Sequence, residues 1–392
     1  VAEVLIIGAG PVGLFMAALL LQDGVDVQVL EQRGAPELQS RAIGIHPPAL
    51  AALAGTGVAE TMIAEGVQIR RGMALAGGKC LARMSFASVS DRFPFVLSLP
   101  QARTEAHLER RVNELGAGAL HRGVRLTGLS DDGTRVSVEA DTASGTVRNS
   151  APLVIAADGV RSTVRALQGI DVRVKEYPDS YLMGDFADGT GFGPDAALFL
   201  SGAGIVESFP LPGQLRRWVV RLGPGDATFG GPDAGGPAAG GPGADARWLM
   251  GCVRERTGLA IDAGTNSMLS RFGVRTRLVP RMVAGRVVMI GDAAHEVSPI
   301  GGQGMNLGWL DAAALAPIVS AAVRGQDVAD RLRTFEGTRL RAAARAARQA
   351  EINMALGRPL TDRLLALRNR GIAGVAAVPP VNSLIARRFT MH

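Results

Sequence analysis

The stretch EVLIIGAGPVGLFMAALLLQDGVDVQVLEQR, residues 3–33, decides the architecture. Val4 to Ile7 form a continuous apolar run, the pattern of a parallel strand buried on both faces. Gly8, Gly10 and Gly13 follow in G-x-G-x-x-G order, then an apolar helix through Leu14 to Leu21 and a second strand, DVQVLE. In such a unit the first glycine permits the tight turn. The second lets a pyrophosphate approach the backbone, and the third lets the helix sit close to the sheet. The phosphates then lie at a helix N-terminus, where free N–H groups and the dipole favour an anion. Glu31 closes the second strand, placed to accept hydrogen bonds from a ribose diol. This segment predicts a dinucleotide-type site without choosing between FAD and NAD.

Two more strand ends carry chemistry. APLVIAADGVRSTVRALQG, residues 151–169, runs from an apolar strand into Asp158-Gly159 and a short helix. Alone it is an ordinary strand–turn–helix. RVVMIGDAAHEVSPIGGQGMNLG, residues 286–308, is the third such unit. Asp292 could bind a sugar-like hydroxyl. Gly301, Gly302 and Gly304 leave amides uncovered ahead of a helix that starts near Met305-Asn306. A flat ring could lie on that bare backbone, its electron-rich edge toward the helix-terminal N–H groups. His295 reads as a locally packed side chain, not a base, and His46 as a turn residue.

Taken in order, the G-x-G-x-x-G with Glu31, Asp158-Gly159, and Gly291-Asp292 with Pro299 and Gly-Gly-Gln-Gly-Met-Asn resemble the FAD-dependent single-component aromatic hydroxylases. These are the flavoprotein monooxygenases of the p-hydroxybenzoate hydroxylase kind, and the resemblance covers nearly the whole chain. It implies FAD as cofactor, with NADPH or NADH as transient reductant. It implies O2 and a small aromatic or polycyclic substrate as partners, and hydroxylation through a flavin C4a-hydroperoxide. An epoxidase or reductase acting on an isoprenoid-like substrate is the alternative.

Carried over residue by residue, Gly8, Gly10 and Gly13 take the pyrophosphate, and Glu31 with Arg33 takes the adenosine side. Arg41 reaches the phosphates and Gln101 the ribityl chain. Asp158 and Gly159 touch FAD and the nicotinamide, and Asp292 holds the ribityl hydroxyls. Gly302, Gln303, Gly304, Met305 and Asn306 form the flavin loop. Pro299 and Asn306 take a catalytic place beside flavin and substrate. Ser298 departs from the resemblance, standing where many relatives have a first proline.

The fold class expected is α/β: a Rossmann-like FAD-binding domain interleaved with a smaller substrate domain on an antiparallel sheet, plus C-terminal helices. Residues 1–70, 98–170 and 276–322 are assigned to the first, 71–97 and 171–275 to the second, and 323–392 to a helical tail. AALFLSG, GIVESFPLP and RRWVVRL read as strands covered on one face. Phe199, Phe209, Trp218, Val220 and Leu222 are their pocket candidates. GPGDATFGGPDAGGPAAGGPGADARW, residues 223–248, reads as a surface loop too poor in apolar side chains to order itself. The alanine- and arginine-rich helix from Asp330 on presents its arginines to solvent, and the last segment docks back on the body.

Composition narrows the classes further. The net charge is +6, but only Lys79 and Lys175 are lysine and the arginines are spread along the chain. With aromatics at 4%, no basic and aromatic patch suggests nucleic acid. Cys80 and Cys252 form no close pair, so no metal centre is expected and both read as buried structural thiols. No apolar run approaches the roughly 20 residues that span a bilayer. The chain enters its first strand without a leader, so a cytoplasmic enzyme is expected. A second G-x-G-x-x-G, which a separate nicotinamide domain would need, is absent from the sequence.

Overall fold

The structure, a computed structural model, describes residues 2–37, 42–223, 242–376 and 378–391. Its first layer is a six-stranded sheet. The order across it is Val283–Ala284, Val287–Met289, Leu153–Ala156, Val4–Ile7, Val27–Glu31 and Leu120–Arg122. All neighbours are parallel except the Val283–Ala284 edge. Val4–Ile7 and Val287–Met289 are buried at every position, as strands covered by helices on both faces must be. The helix Pro11–Gln22 lies against them and is apolar on every side because further helices, Gln101–Leu115 and Gln303–Val323, pack on it. From Val4–Ile7 the chain moves to one neighbour, Val27–Glu31, and returns much later to the other, Leu153–Ala156. That reversal is a topological switch point, and a crevice opens beyond the C-terminal ends of the strands there.

The second layer is an eight-stranded sheet. Its order is His295–Glu296, Met268–Leu278, Arg173–Ala187, Leu215–Leu222, Gly204–Leu211, Ala196–Ser201, Arg71–Ala76 and Lys79–Ser85. The expected meander is antiparallel, but Ala196–Ser201 meets Arg71–Ala76 in parallel. Those strands come from distant parts of the chain, so no hairpin turn dictates their relative direction. The boundary expected near residue 275 falls inside the long strand Met268–Leu278.

One face of this sheet is sealed by the helix Pro242–Thr257, whose Ala246, Leu249, Met250 and Val253 pack on Phe186, Phe199, Trp218, Val220 and Leu222. Residues 242–248, read as the end of the glycine-rich loop, are helical; the preceding 224–241 lie outside the described residues. The thiols also differ from expectation. Cys80 is exposed on the outer strand Lys79–Ser85, and Cys252 is half-buried.

The helix Gln303–Val323 is long and apolar enough to cross a bilayer by composition, but two thirds of it is buried inside the protein. Its middle carries Asp311, ion-paired to His295 and Arg339, which suits a core helix.

Candidate active site

Four strand ends lie side by side where Gly8, Glu31, Asp158 and Asp292 follow their strands, and all four residues line one cleft. Gly8 turns the chain at φ +104°, and a Cβ there would come within 2.5 Å of the Ala157 carbonyl oxygen. A Cβ on Gly13 would sit 2.0 Å from the Gly8 carbonyl oxygen. Both glycines are therefore required by the backbone itself. Gly10 differs: a Cβ there would meet nothing within 4 Å among the described residues. It faces the cleft at the start of the helix Pro11–Gln22, whose first turn has no side-chain cap. Those N–H groups are free to meet an anion.

Glu31 is buried. Its Oε2 accepts the Ala9 N–H at 2.7 Å, and its Oε1 accepts the Arg33 N–H at 2.9 Å and Nε–H at 3.0 Å. Burial works to raise this carboxyl, but the Arg33 and Ala9 hydrogen bonds prevail and hold it below its ordinary value. The glycine turn is thereby pinned to the second strand by an ionised carboxylate with lone pairs to spare for hydroxyl donors. On the same wall Gln101 Nε2 donates to Glu105 Oε1 at 2.7 Å. Burial raises the Glu105 carboxyl. Glu105 lines the cleft too, although the sequence pointed only to Gln101.

Asp158 and Gly159 line the next part of the wall. Asp158 Oδ2 accepts the Val164 N–H at 3.1 Å, while its buried Oδ1 has no hydrogen-bond partner among the described residues. Arg165 stitches this turn to the third, donating to the carbonyls of Val160 (2.8 Å) and Ala293 (2.9 Å). Asp292 is open to the cleft and enclosed by protein elsewhere; the enclosure pushes its carboxyl up to about 6. Beyond it, Pro299, Gly301, Gly302, Gly304 and Met305 line the cleft at the uncapped start of the helix Gln303–Val323. Arg41 lies outside the described residues.

Asn306, expected to act catalytically, does not line the cleft. Its Oδ1 accepts the His46 N–H at 2.8 Å, and its Nδ2 donates to the carbonyls of Gly44 (3.0 Å) and Gly302 (2.6 Å). Both ends of its amide thus tie the glycine loop to the segment that ends in His46. Gln303 is likewise buried off the cleft. His46 itself stacks on Phe389 and lines the cleft, so it does more than turn the chain.

Beneath the loop, His295 Nε2 and Asp311 Oδ2 are 2.6 Å apart, Arg339 Nε donates to Asp311 Oδ1 at 2.6 Å, and Gly291 N–H donates to Oδ2 at 3.0 Å. Burial opposes the charge on His295, but Asp311 overrides it and raises the imidazole. Burial likewise tends to raise Asp311, and His295 and Arg339 pull it below its usual range. His295 is thus a packed structural group, whereas Arg339 departs from the solvated face expected of its helix.

The cleft measures about 1540 Å³, larger than the roughly 300–1,000 Å³ that a single drug-sized ligand fills. It holds room for an extended cofactor and a second molecule. An anion-binding helix start, carboxylates along one wall, an Asp158 oxygen unpartnered among the described residues and bare glycine backbone together fit an FAD.

A family model described as "FAD binding domain" matches residues 1–193 and 246–350. The chain belongs to this family. Its relatives include the 6-methylpretetramide 4-monooxygenase of Streptomyces rimosus, 30% identical over 99% of this chain and 68% of the relative. Among solved structures, the p-nitrophenol 4-monooxygenase of Pseudomonas putida superposes with a TM-score of 0.87 over 99% of this chain and 97% of that one, at 24% identity. The OxyS anhydrotetracycline hydroxylase of Streptomyces rimosus gives 0.80 over 100% and 76%, at 30% identity. The chain is an FAD-dependent monooxygenase of the aromatic-hydroxylase fold.

In this monooxygenase the open face of the eight-stranded sheet roofs the inner half of the cleft. Met183, Leu198, Leu200, Ile205, Phe209 and Val219 point into it. Of the aromatic and aliphatic pocket candidates, only Phe209 does so. Phe199, Trp218, Val220 and Leu222 face the opposite way, beneath the helix Pro242–Thr257. Side chains alternate along a strand, so covering one face with a helix consigns each second residue to ordinary core. The C-terminal helices Asp362–Ala376 and Pro379–Phe389 close the outer end through Ile372, Ile385 and Phe389.

Proposed function

We propose that this enzyme uses NADH or NADPH and O2 to hydroxylate an aromatic or polycyclic small molecule held between the glycine loop and the eight-stranded sheet. One observation carries the reading: the cofactor groove of Gly8, Glu31 and Asp292 is continuous with an apolar chamber roofed by Leu198, Phe209 and Val219. Bound FAD would supply the oxygen-transferring redox chemistry. The chain's own residues then have to hold, orient and dry the site. Gly10 and the helix start at Pro11 receive the pyrophosphate, Glu31 and Arg33 the adenosine ribose, and Asp292 the ribityl hydroxyls. Gln101 and Glu105 close the wall beside them, and Asp158-Gly159 contact both FAD and nicotinamide. The uncapped start of the helix Gln303–Val323 offers N–H groups and its dipole to negative charge on the ring edge. Pro299 and Met305 border the ring, and Asn306 and Gln303 shape the loop from behind. Apolar side chains over the ring exclude water. Residues 71–97 and 171 to the end of the strand Met268–Leu278 form the substrate domain in this reading, and the remaining residues up to 322 form the FAD-binding domain.

The test is oxygen consumption by FAD-saturated enzyme with NADH or NADPH over a panel of phenols and polycyclic aromatics. A substrate should stimulate consumption and yield a product one oxygen atom heavier. Nicotinamide oxidation that no aromatic stimulates would refute the reading.

Asp292 makes a separate prediction. Replacing it by alanine removes a hydrogen-bonding carboxylate worth about 1.5–3 kcal/mol, so the Kd for FAD should rise roughly 10- to 150-fold by flavin fluorescence titration. The ribityl donors favour the ionised carboxylate, so wild-type affinity should also weaken as pH falls through about 6. Asp292→Asn should flatten that dependence; an unchanged pH profile would place the ribityl chain elsewhere.

A further inference from the structure

The strand Gly204–Leu211 presents Ile205, Glu207 and Phe209 to the chamber. Across the sheet Glu207 stands opposite Leu198 and Val219. Val219 in turn packs with Met183, Phe272 and Ile300, the last belonging to the loop that starts at Pro299. Glu207 therefore sits in an apolar roof directly over the segment assigned to the flavin. It is 9% exposed. Among the described residues no hydrogen bond or ion pair engages its side chain.

A buried carboxylate without a partner is costly to keep, and nothing in the packing of this strand calls for one. Leucine or valine would fill the position between Leu198 and Val219. A carboxylate aimed into a ligand chamber becomes useful when the ligand brings the donor.

We propose that Glu207 accepts the proton of a hydroxyl group on the ring that the enzyme oxidises, which makes its substrates phenols. The substrate O–H bond breaks, its electron pair stays on the oxygen, and the proton moves to a Glu207 Oε. The ring carbons beside and opposite the oxygen become richer in electrons, as attack on an electrophilic oxygen requires. This rests on the monooxygenase reading above.

Burial alone pushes the Glu207 carboxyl up to about 7, the range in which a side chain both takes and releases protons efficiently at neutral pH. Other ionisable groups face the chamber from the surrounding elements. Arg217, on Leu215–Leu222, is held by both oxygens of Asp185 at 2.6 and 2.8 Å. Arg368, on Asp362–Ala376, donates to the Leu356 carbonyl at 2.7 Å. Tyr181, on Arg173–Ala187, does not line the chamber but packs with Met183 and Val219, and burial raises its hydroxyl, with Glu207 adding to the effect. Arg83 enters from Lys79–Ser85.

The experiment uses FAD-loaded wild-type and Glu207→Gln enzyme with 4-nitrophenol, whose anion absorbs strongly in the visible. Difference spectra against probe-free enzyme are recorded across pH. Ionised Glu207 beside the probe's hydroxyl opposes a second negative charge, and glutamine does not, so the anion should appear at lower pH in the variant. The variant's midpoint should lie lower by about one pH unit or more, the size of effect a neighbouring ionisable group produces. 4-Nitroanisole, which has no proton to give, should bind both proteins equally. Equal midpoints overturn the proposal, and so does loss of 4-nitroanisole binding in the variant, which would mean that Glu207 only shapes the chamber. Oxygen consumption on the same wild-type sample keeps the two readings apart. Its absence alongside an intact midpoint difference defeats the monooxygenase reading and leaves the proton acceptor standing.

Discussion

Gly10→Val should fold with an unchanged melting temperature and carry no flavin. The glycine sits at φ −75° and ψ −178°, extended backbone open to any residue and compatible with the proline that follows. A Cβ at this position meets nothing within 4 Å among the described residues, so the backbone around it tolerates the added atoms. They project instead into the space before the helix N-terminus, where the pyrophosphate would lie. Losing two or more charge-assisted N–H contacts of about 1.5–3 kcal/mol each predicts a rise in the Kd for FAD of roughly 10² to 10⁴-fold. Gly13→Val is the informative contrast. Its Cβ would collide with the Gly8 carbonyl oxygen at 2.0 Å, so it should fail to fold at all. Equal behaviour of the two variants would mean that Gly10 is structural and the pyrophosphate lies elsewhere.

The second large effect is expected at Asp311→Ala. That substitution leaves His295 and Arg339 facing each other inside the protein without their carboxylate. Breaking a buried ion pair by removing one partner costs about 3–5 kcal/mol. The melting temperature should drop by on the order of 10 °C, and the loop from Gly291 to Gly302 should loosen its grip on the cofactor. The pH dependence has a definite sign. Asp311 is held below its ordinary 3.8, so its contribution is complete above that value and is lost as pH falls through the lower, folded value. His295 is raised above its ordinary 6.5, so its contribution is complete below 6.5 and fades as pH rises through the higher, folded value. The stability gap between wild type and variant should therefore be widest between about pH 5 and 6.5 and shrink on either side. Thermal melts at three pH values check this. A gap that does not shrink as pH rises above 6.5 would mean that His295 is neutral in the folded protein.

Much of the fold is written in local signals. Val4–Ile7 and Val287–Met289 read as buried parallel strands because no polar side chain interrupts them. Gly8 and Gly13 stand out by their G-x-G-x-x-G spacing, and in the fold backbone contacts at 2.0–2.5 Å leave no room for a side chain at either. What escaped the sequence depends on contacts between distant segments. Strand alternation announces two faces at Leu215–Leu222 but not which one a helix will cover, so Trp218 and Val220 passed for pocket residues while Val219 went unnoticed. The covering helix lay behind a glycine-rich run that masked its first turns. Asn306 was drawn to the site by its motif, yet its amide turns to Gly44, His46 and Gly302 and it does not line the cleft. Arg339 looked like one more arginine on a solvated helix because its partner lies 28 residues away. Glu207, inside GIVESFPLP, carries no local mark of its place; only the register with Leu198 and Val219 puts it in the chamber roof.

A crystal structure of the protein saturated with FAD bears most directly on the account. The adenosine ribose should lie at Glu31, the pyrophosphate over Gly10 and the ribityl chain at Asp292. The ring should rest on the backbone from Pro299 to Gly304, beneath Val219 and Glu207. A flavin found in the reverse orientation, or bound outside this groove, would contradict it.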